Sequence, residues 1–361
     1  MSYTEQNKIT REINKTLFNT SAANYFAPII DAFFPNNSLG CIKAKVINII
    51  QERDDVISIE LKPNRKFNAF IPGQYVETTI KINAVNYNRI FSISSSLQQL
   101  NQDNIIVLTI QKQKDGKVTS WIHQNLKKGD TIEISQAMGD FTLPETNHDV
   151  LFIAGGSGIT PFRSMLYQAL EKEMNVTLLY YCNTLNEHLF EDELNAFKND
   201  NINVIFIDSN NKGFINENHI KEYCSDFANR KTFICGPAPM ITAAQNVLAQ
   251  LGVDESNIII ERFRPIQLPT QDLAHIKGTV SVLKLNKNNI EVNSENNILE
   301  TLEQNGVFPK HGCRMGICKK CQCTKKSGMV YDKLNQKYSQ TNEEKITICT
   351  TIPVGEVEIE F

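Results

Sequence analysis

The stretch Lys310-His311-Gly312-Cys313-Arg314-Met315-Gly316-Ile317-Cys318-Lys319-Lys320-Cys321-Gln322-Cys323 decides how the rest of the chain is read. Cys313, Cys318 and Cys321 are spaced C-x4-C-x2-C, and Cys349 follows 28 positions after Cys321. Four thiolates at this spacing suit a [2Fe–2S] cluster, in which one loop supplies three ligands and a distant segment the fourth. Gly312 and Gly316 lie inside the loop, where unusual φ and close approach to sulfide are needed. The alternative is structural zinc. Zinc frameworks repeat C-x2-C pairs, and here only Cys318 and Cys321 form one. A cluster of this type moves single electrons, so the upstream chain is read for their source.

With 361 residues the chain can hold two or three domains with cores of their own. Hydrophobic residues make up 41% and charged residues 21%, ordinary values for a water-soluble fold, and the net charge of −3 gives no nucleic-acid signature. The first eight residues lack a basic start leading into an apolar core, so no secretory signal is expected. The apolar run at 25–34 is short, holds Pro28 and Asp31, and is not expected to span a bilayer. The remaining cysteines, Cys41, Cys182, Cys224, Cys235 and Cys323, are scattered, which fits a reducing, cytoplasmic compartment rather than a disulfide scaffold.

Residues 1–40 read as an extension with short helices at 10–18 and 24–34, packed on the next domain or serving as a docking or membrane-surface element. From residue 41 the period is two, with strands expected at 41–50, 56–61, 74–80, 89–95, 105–113 and 131–135 and a helix at 118–126. Six such strands predict a closed antiparallel barrel over 41–146. From 147 to 264, apolar runs at 150–154, 176–181, 204–207, 232–235 and 258–260 alternate with helical segments at 160–172, 187–197, 216–223 and 239–251. This predicts an α/β domain with a five-stranded parallel sheet. Residues 265–276, which hold Pro265 and Pro269 and show no strong period, read as a linker. The last domain, 277–361, is expected to hold a hairpin at 279–292, a helix at 298–305, the cysteine loop and a closing strand at 356–361.

Arg89-Ile90-Phe91-Ser92 lies on a barrel strand, where Arg can grip a diphosphate, Phe91 can pack on a flavin ring and Ser92 can reach its N5. Such a tetrapeptide also occurs as plain surface and core. Gly116-Lys117-Val118-Thr119 opens the interrupting helix, a place for an anion or simply an N-cap by Thr119 or Ser120. Gly155-Gly156-Ser157-Gly158-Ile159-Thr160-Pro161 joins a parallel strand to a helix and permits close approach of a nucleotide diphosphate. Cys235-Gly236-Pro237 and Met240 end a later strand, on the side where such sheets bind ligands, although a buried structural thiol is the common role of a free Cys.

In this order the motifs resemble the ferredoxin–NADP⁺ reductase superfamily, in its subgroup with a C-terminal plant-type ferredoxin domain of β-grasp, α+β type. The resemblance covers residues 41–361, with Phe91 where the family motif has Tyr. It implies FAD held by Arg89, Ile90, Phe91, Ser92, Gly116, Lys117, Val118 and Thr119, and NADPH or NADH held by Gly155, Gly156, Gly158, Thr160, Pro161, Cys235, Gly236 and Pro237. It also implies Ser92 and Cys235 beside the reacting atoms, Phe263 toward the flavin, and a cluster on Cys313, Cys318, Cys321 and Cys349. Such proteins relay electrons from NAD(P)H through flavin and cluster to an acceptor protein. A membrane fatty-acid desaturase is the first expectation, on account of the N-terminal extension, and an oxygenase the second. On that basis the chain would be cytoplasmic and would meet a membrane only through its partner. A redox-sensing subunit with little turnover is the alternative function. The segment 181–187 sets the choice of nucleotide; Asn183 and Thr184 are neither Arg nor acid, and with no acid placed to repel a 2′-phosphate the reading leans to NADPH. Eight basic residues against one acid between Lys310 and Lys337 suggest a rim that steers an acidic partner, or a solvated face. Cys323 has no counterpart in the resemblance.

Overall fold

The structure, a computed structural model, describes residues 41–83, 85–114, 116–145, 148–263, 280–285, 288–293, 296–314, 316–335 and 337–361. The expected N-terminal helices and the linker lie outside these residues.

The first sheet contains β1 (Ile42–Arg53), β2 (Val56–Pro63), β3 (Tyr75–Ile82), β4 (Val85–Ser92), β5 (Ile106–Gln111) and β6 (Thr131–Ile134), in the order β4-β3-β6-β1-β2-β5 with antiparallel neighbours. Alternate residues such as Ala44, Val46, Ile57 and Ile59 turn inward and form one core. The chain beyond β4 meets β5 at an Ile93–Leu108 bridge, which closes the barrel. A helix absent from the sequence reading, α1 (Leu97–Asp103), follows; Ser96 caps it by accepting the N–H of Gln99. α2 (Lys117–Asn125) lies between β5 and β6.

The second sheet is parallel, with β7 (Val150–Gly155), β8 (Val176–Cys182), β9 (Ile202–Asp208), β10 (Lys231–Cys235) and β11 (Ile258–Glu261) in the order β11-β10-β7-β8-β9. All six residues of β7 are buried, as a strand covered on both faces requires. The helices α3 (Ile159–Glu171), α4 (Glu191–Ala196), α5 (Ser209–Lys212), α6 (Glu217–Tyr223) and α7 (Ala238–Gln250) connect these strands, and separate apolar clusters fill the two faces. The expected helix at 187–197 is two pieces, a 3₁₀ turn over Leu185–Glu187 and α4. Phe190, at φ +59°, interrupts the run, and three acids in the first turn of α4 favour a helix start there. Strand order reverses between β7 and β10, and such a switch point opens a crevice for ligands at the carboxyl ends.

The third sheet joins β12 (Val280–Leu285), β13 (Asn288–Asn293), β14 (Gln322–Asp332), β15 (Lys337–Tyr338) and β17 (Thr351–Glu360) in the order β13-β12-β17-β14-β15, with β16 (Glu344–Thr347) paired to β14. β12 and β17 are parallel, and α8 (Ile298–Gln304), started by an Asn297/Glu300 capping box, packs its apolar face into the same core. This is the β-grasp arrangement. β14 falls where no strand is expected from the sequence, and β17 starts at Thr351, ahead of the expected 356.

Barrel and parallel sheet share a packed seam. Phe141, from the segment after β6, meets Phe162 and Phe233 edge-on at centroid distances of 5.6 and 5.4 Å. Ser164 of α3 donates to the carbonyl of Ser95 at 2.7 Å.

Candidate flavin, nucleotide and cluster sites

Three chain segments meet at the seam. Ser92 ends β4, and Cys235 and Glu261 end β10 and β11 opposite one another in the parallel register. The hydroxyl of Ser92 donates to Oε2 of Glu261 at 3.4 Å. Both side chains are buried, and removal from water pushes the Glu261 carboxyl up to about 8, against the pull of the Ser92 bond. Burial therefore favours the protonated form of Glu261. The Cys235 thiol is fully buried and raised by the same cause, with the Glu261 carboxyl beside it adding to the rise, so it is not a thiolate. Phe263 packs at the edge of the adjoining core.

On the outer part of β4, Tyr87, Arg89 and Phe91 share one face by strand alternation. Arg89 is half-buried; its Nη1 donates to the carbonyl of Asn88 at 2.7 Å, and no carboxylate among the described residues pairs with it. Desolvation lowers its affinity for its own proton, which marks a cation lacking an anion. Lys117, at the first turn of α2, hydrogen-bonds the Tyr87 hydroxyl and lies 4.5 Å from that ring's centroid. The N-cap of α2 is Gly116, which has no side chain to cap with. Thr119, proposed above as a cap, instead accepts the N–H of Gln113 at 3.0 Å and ties the loop to the helix. The first N–H groups of α2 are thus left for another acceptor. A desolvated guanidinium, a lysine and an uncapped helix start fit a flavin diphosphate.

At the switch point, Gly155 and Gly158 are required by contact. A Cβ on Gly158 would stand 2.2 Å from the carbonyl oxygen of Cys235, and one on Gly155 would stand 2.4 Å from Sδ of Met240. The glycine loop and the Cys235-Gly236-Pro237 turn are pressed together, while Gly156, at φ +52°, faces open space. Thr160 anchors the turn by donating to the carbonyl of Ser157 at 3.0 Å, and α3 starts without a side-chain cap. A tight glycine turn leading into an uncapped helix start fits a nucleotide diphosphate. Beyond β8, the acid of segment 181–187 lies beside Asn183: Oε2 of Glu187 accepts from Nδ2 of Asn183 at 3.1 Å. The 3₁₀ turn brings Glu187 back to the strand end, which linear inspection of 181–187 did not show. Arg53, beside it, is held by Asp55 at 2.6 Å.

The cluster loop wraps through left-handed residues, Arg314 at φ +58°, Gly316 at +80° and Lys319 at +52°. No disulfide forms among the described residues, and no three of their His, Cys, Asp or Glu side chains converge on a single-ion site. The thiols instead stand as two pairs, Cys313 with Cys318 and Cys321 with Cys349. Two thiolates per iron is what a binuclear cluster asks for. Within the pairs, contact with Cys349 holds the Cys321 thiol down, while Cys349 and Cys318 are pushed up by their partners. The N–H of Gly316 donates to Sγ of Cys349 at 3.2 Å, and that of Cys313 to Sγ of Cys318 at 3.3 Å. The donor set fits [2Fe–2S]. Cys323 is not part of it: it is buried in the core under α8, and burial pushes its thiol up to about 12.

The basic rim is smaller than the sequence suggested. Lys325 is fully buried and donates to the carbonyls of Gly328, Gln340 and Asn342 at 2.9, 2.9 and 2.6 Å, with Glu344 at 3.2 Å. Arg314 forks onto Glu303 at 2.9 and 2.6 Å, and Lys320 reaches Glu77 of the barrel. Tyr75 and Glu77 of β3 carry no local signal in the sequence, and of the stretch 261–263, where the resemblance puts groups beside flavin and nicotinamide, only Phe263 was expected to have a role and not Glu261.

A flavin barrel, a nucleotide sheet and a cluster domain joined in this way define an NAD(P)H-dependent flavin and iron–sulfur oxidoreductase. The domains belong to known families: residues 43–143 match the oxidoreductase FAD-binding domain, 152–246 the oxidoreductase NAD-binding domain and 283–354 the 2Fe-2S iron-sulfur cluster binding domain. The chain is 27% identical over 346 residues to the ferredoxin reductase component of 3-ketosteroid-9-alpha-monooxygenase from Mycolicibacterium smegmatis, covering 89% of this chain and 97% of that one. It is 25% identical over 376 residues to the glycine betaine monooxygenase reductase subunit of Pseudomonas aeruginosa, covering 94% and 100%. Phthalate dioxygenase reductase, described as a modular structure for electron transfer from pyridine nucleotides to [2Fe–2S], shares the fold with a TM-score of 0.59 at 18% identity, over 90% of this chain and 99% of that one. Among the described residues no helix is long and apolar enough to cross a membrane.

Proposed function

We propose that the chain is the reductase component of an oxygenase system, drawing electrons from NADH and delivering them singly through its cluster. The observation that carries this reading is the meeting of Ser92, Cys235 and Glu261 at one seam, with the cluster loop against the neighbouring strand β3. Bound FAD supplies hydride acceptance and one-electron release, chemistry no side chain offers. The chain's own residues do the rest. Arg89 and the start of α2, with Gly116, Lys117, Val118 and Thr119, would hold the diphosphate of the flavin, and Phe91 would border its ring from the face it shares with Arg89, with Ile90 the strand residue between them. The loop from Gly155 through Gly156, Gly158, Thr160 and Pro161 holds that of the nucleotide. The close-packed Cys235-Gly236-Pro237 turn, pressed against the glycine loop, would border the nicotinamide end of that nucleotide. Ser92, with protonated Glu261 behind it, holds a proton at the seam. Cys313, Cys318, Cys321 and Cys349 hold the cluster.

NADH is favoured over NADPH because the Glu187 carboxylate beside Asn183 would accept a ribose 2′-OH and repel a 2′-phosphate. Both relatives described above are named as components of monooxygenases, which supports an oxygenase acceptor ahead of a desaturase. Steady-state reduction of cytochrome c by the loaded protein tests the reading. Sustained turnover is expected, with kcat/KM for NADH at least about 10-fold above that for NADPH, a preference worth about 1.4 kcal/mol. Negligible turnover at full cofactor loading would point to a redox sensor.

A further inference from the structure

The cluster loop rests on the barrel through a small set of contacts. Lys320 Nζ lies 2.6 Å from Oε1 of Glu77, and the Tyr75 hydroxyl donates to the carbonyl of Ile317 at 3.4 Å. Glu77 is only 5% exposed, and a carboxylate is seldom buried this far without a role, because its desolvation must be offset. Its Oε1 also accepts from Nδ2 of Asn88 at 2.9 Å. Its Oε2 has no partner among the described residues and abuts Gly312, where a Cβ would stand 2.8 Å from that oxygen and 2.8 Å from Sγ of Cys318. The barrel thus approaches the loop most closely beside the cluster ligands. Tyr75 and Ser92 are direct cross-strand partners on β3 and β4. Tyr75 therefore touches the cluster loop on one side and stands directly across the ladder from Ser92, which donates to Glu261, on the other.

We propose that Glu77 and Lys320 form a docking pair that fixes the cluster loop on β3, with Tyr75 as the bridge across the gap, so that the arrangement seen is the electron-receiving state of the cluster domain. Both are positioning residues. Each crossing moves one electron and no atom: the flavin is oxidised by one equivalent and one ferric ion of the cluster becomes ferrous. The inference rests on the reading that flavin and cluster exchange electrons within this chain.

The test uses the full chain loaded with FAD and cluster, as wild type and as Glu77→Gln, Lys320→Gln and Lys320→Arg, each checked for iron content. Stopped-flow mixing with NADH separates flavin bleaching from cluster reduction, and small-angle scattering of the oxidised protein reports domain separation. Both Gln variants should slow cluster reduction on the order of 10-fold or more while flavin bleaching stays within about 2-fold, since small misplacements cost large factors in rate. Their radius of gyration should rise, and Lys320→Arg should restore both readouts. Two variants on different domains keep the test open should one fold poorly. Wild-type cluster reduction with unchanged Gln variants would overturn the docking pair alone. Equal slowing of both phases would also overturn it. A wild-type cluster that NADH and NADPH both fail to reduce would overturn the electron-transfer reading and the docking pair with it.

Discussion

Glu261 closes a strand whose other residues are isoleucines, and its chemistry comes from where the strand ends. An acid moved from an ordinary 4.5 to about 8 binds its proton more tightly in the folded chain than in the unfolded one. Its contribution to stability is therefore complete below about pH 4.5 and is lost as pH rises through about 8. The denaturation midpoint of Glu261→Gln should fall less than that of the wild type over this range, and a parallel pair of curves would refute the shift. The two cysteines at the end of the cluster loop give a sharper contrast. Cys321→Ser should abolish the visible absorbance of the cluster. Cys323→Ser should keep it and cost about 1–3 kcal/mol by placing a hydroxyl in an apolar core, read from urea unfolding. At this scale the sequence named the cluster ligands by spacing and left Cys323 without a role. Burial on β14 supplies that role, and spacing does not encode it.

Among the elements, the ones read correctly are those whose side chains follow one period. β7 is apolar throughout, and the glycines after it mark a turn that contact makes obligatory. Gly158→Ala should cost about 1–3 kcal/mol, because the atom it meets is a backbone carbonyl that cannot swing aside. It should also raise KM for the nucleotide more than it lowers flavin affinity; equal effects on both would mean the barrel was disturbed as well. The elements misread are those in which a local rule is broken and then compensated. β14 was passed over because Lys325 occupies an inward position, where three carbonyls satisfy its ammonium. The helix at 187–197 divides at Phe190, whose left-handed backbone no residue pattern announces.

Across the whole molecule, motif order showed a relay of flavin, nucleotide and cluster, but not how the stations face one another. Glu77 and Lys320 are 243 positions apart, and nothing local to either points to the other. Their contact places the cluster ligands near the strand that neighbours Ser92, which makes the relay a matter of geometry as well as of composition. The most direct measurement is an anaerobic titration of the loaded protein with NADH, followed by visible absorbance and by EPR. The relay predicts loss of flavin absorbance together with the EPR signal of a reduced [2Fe–2S] cluster, with two electrons stored in the flavin and one in the cluster at the end point. Bleaching of the flavin with the cluster still oxidised after excess NADH and NADPH would contradict it.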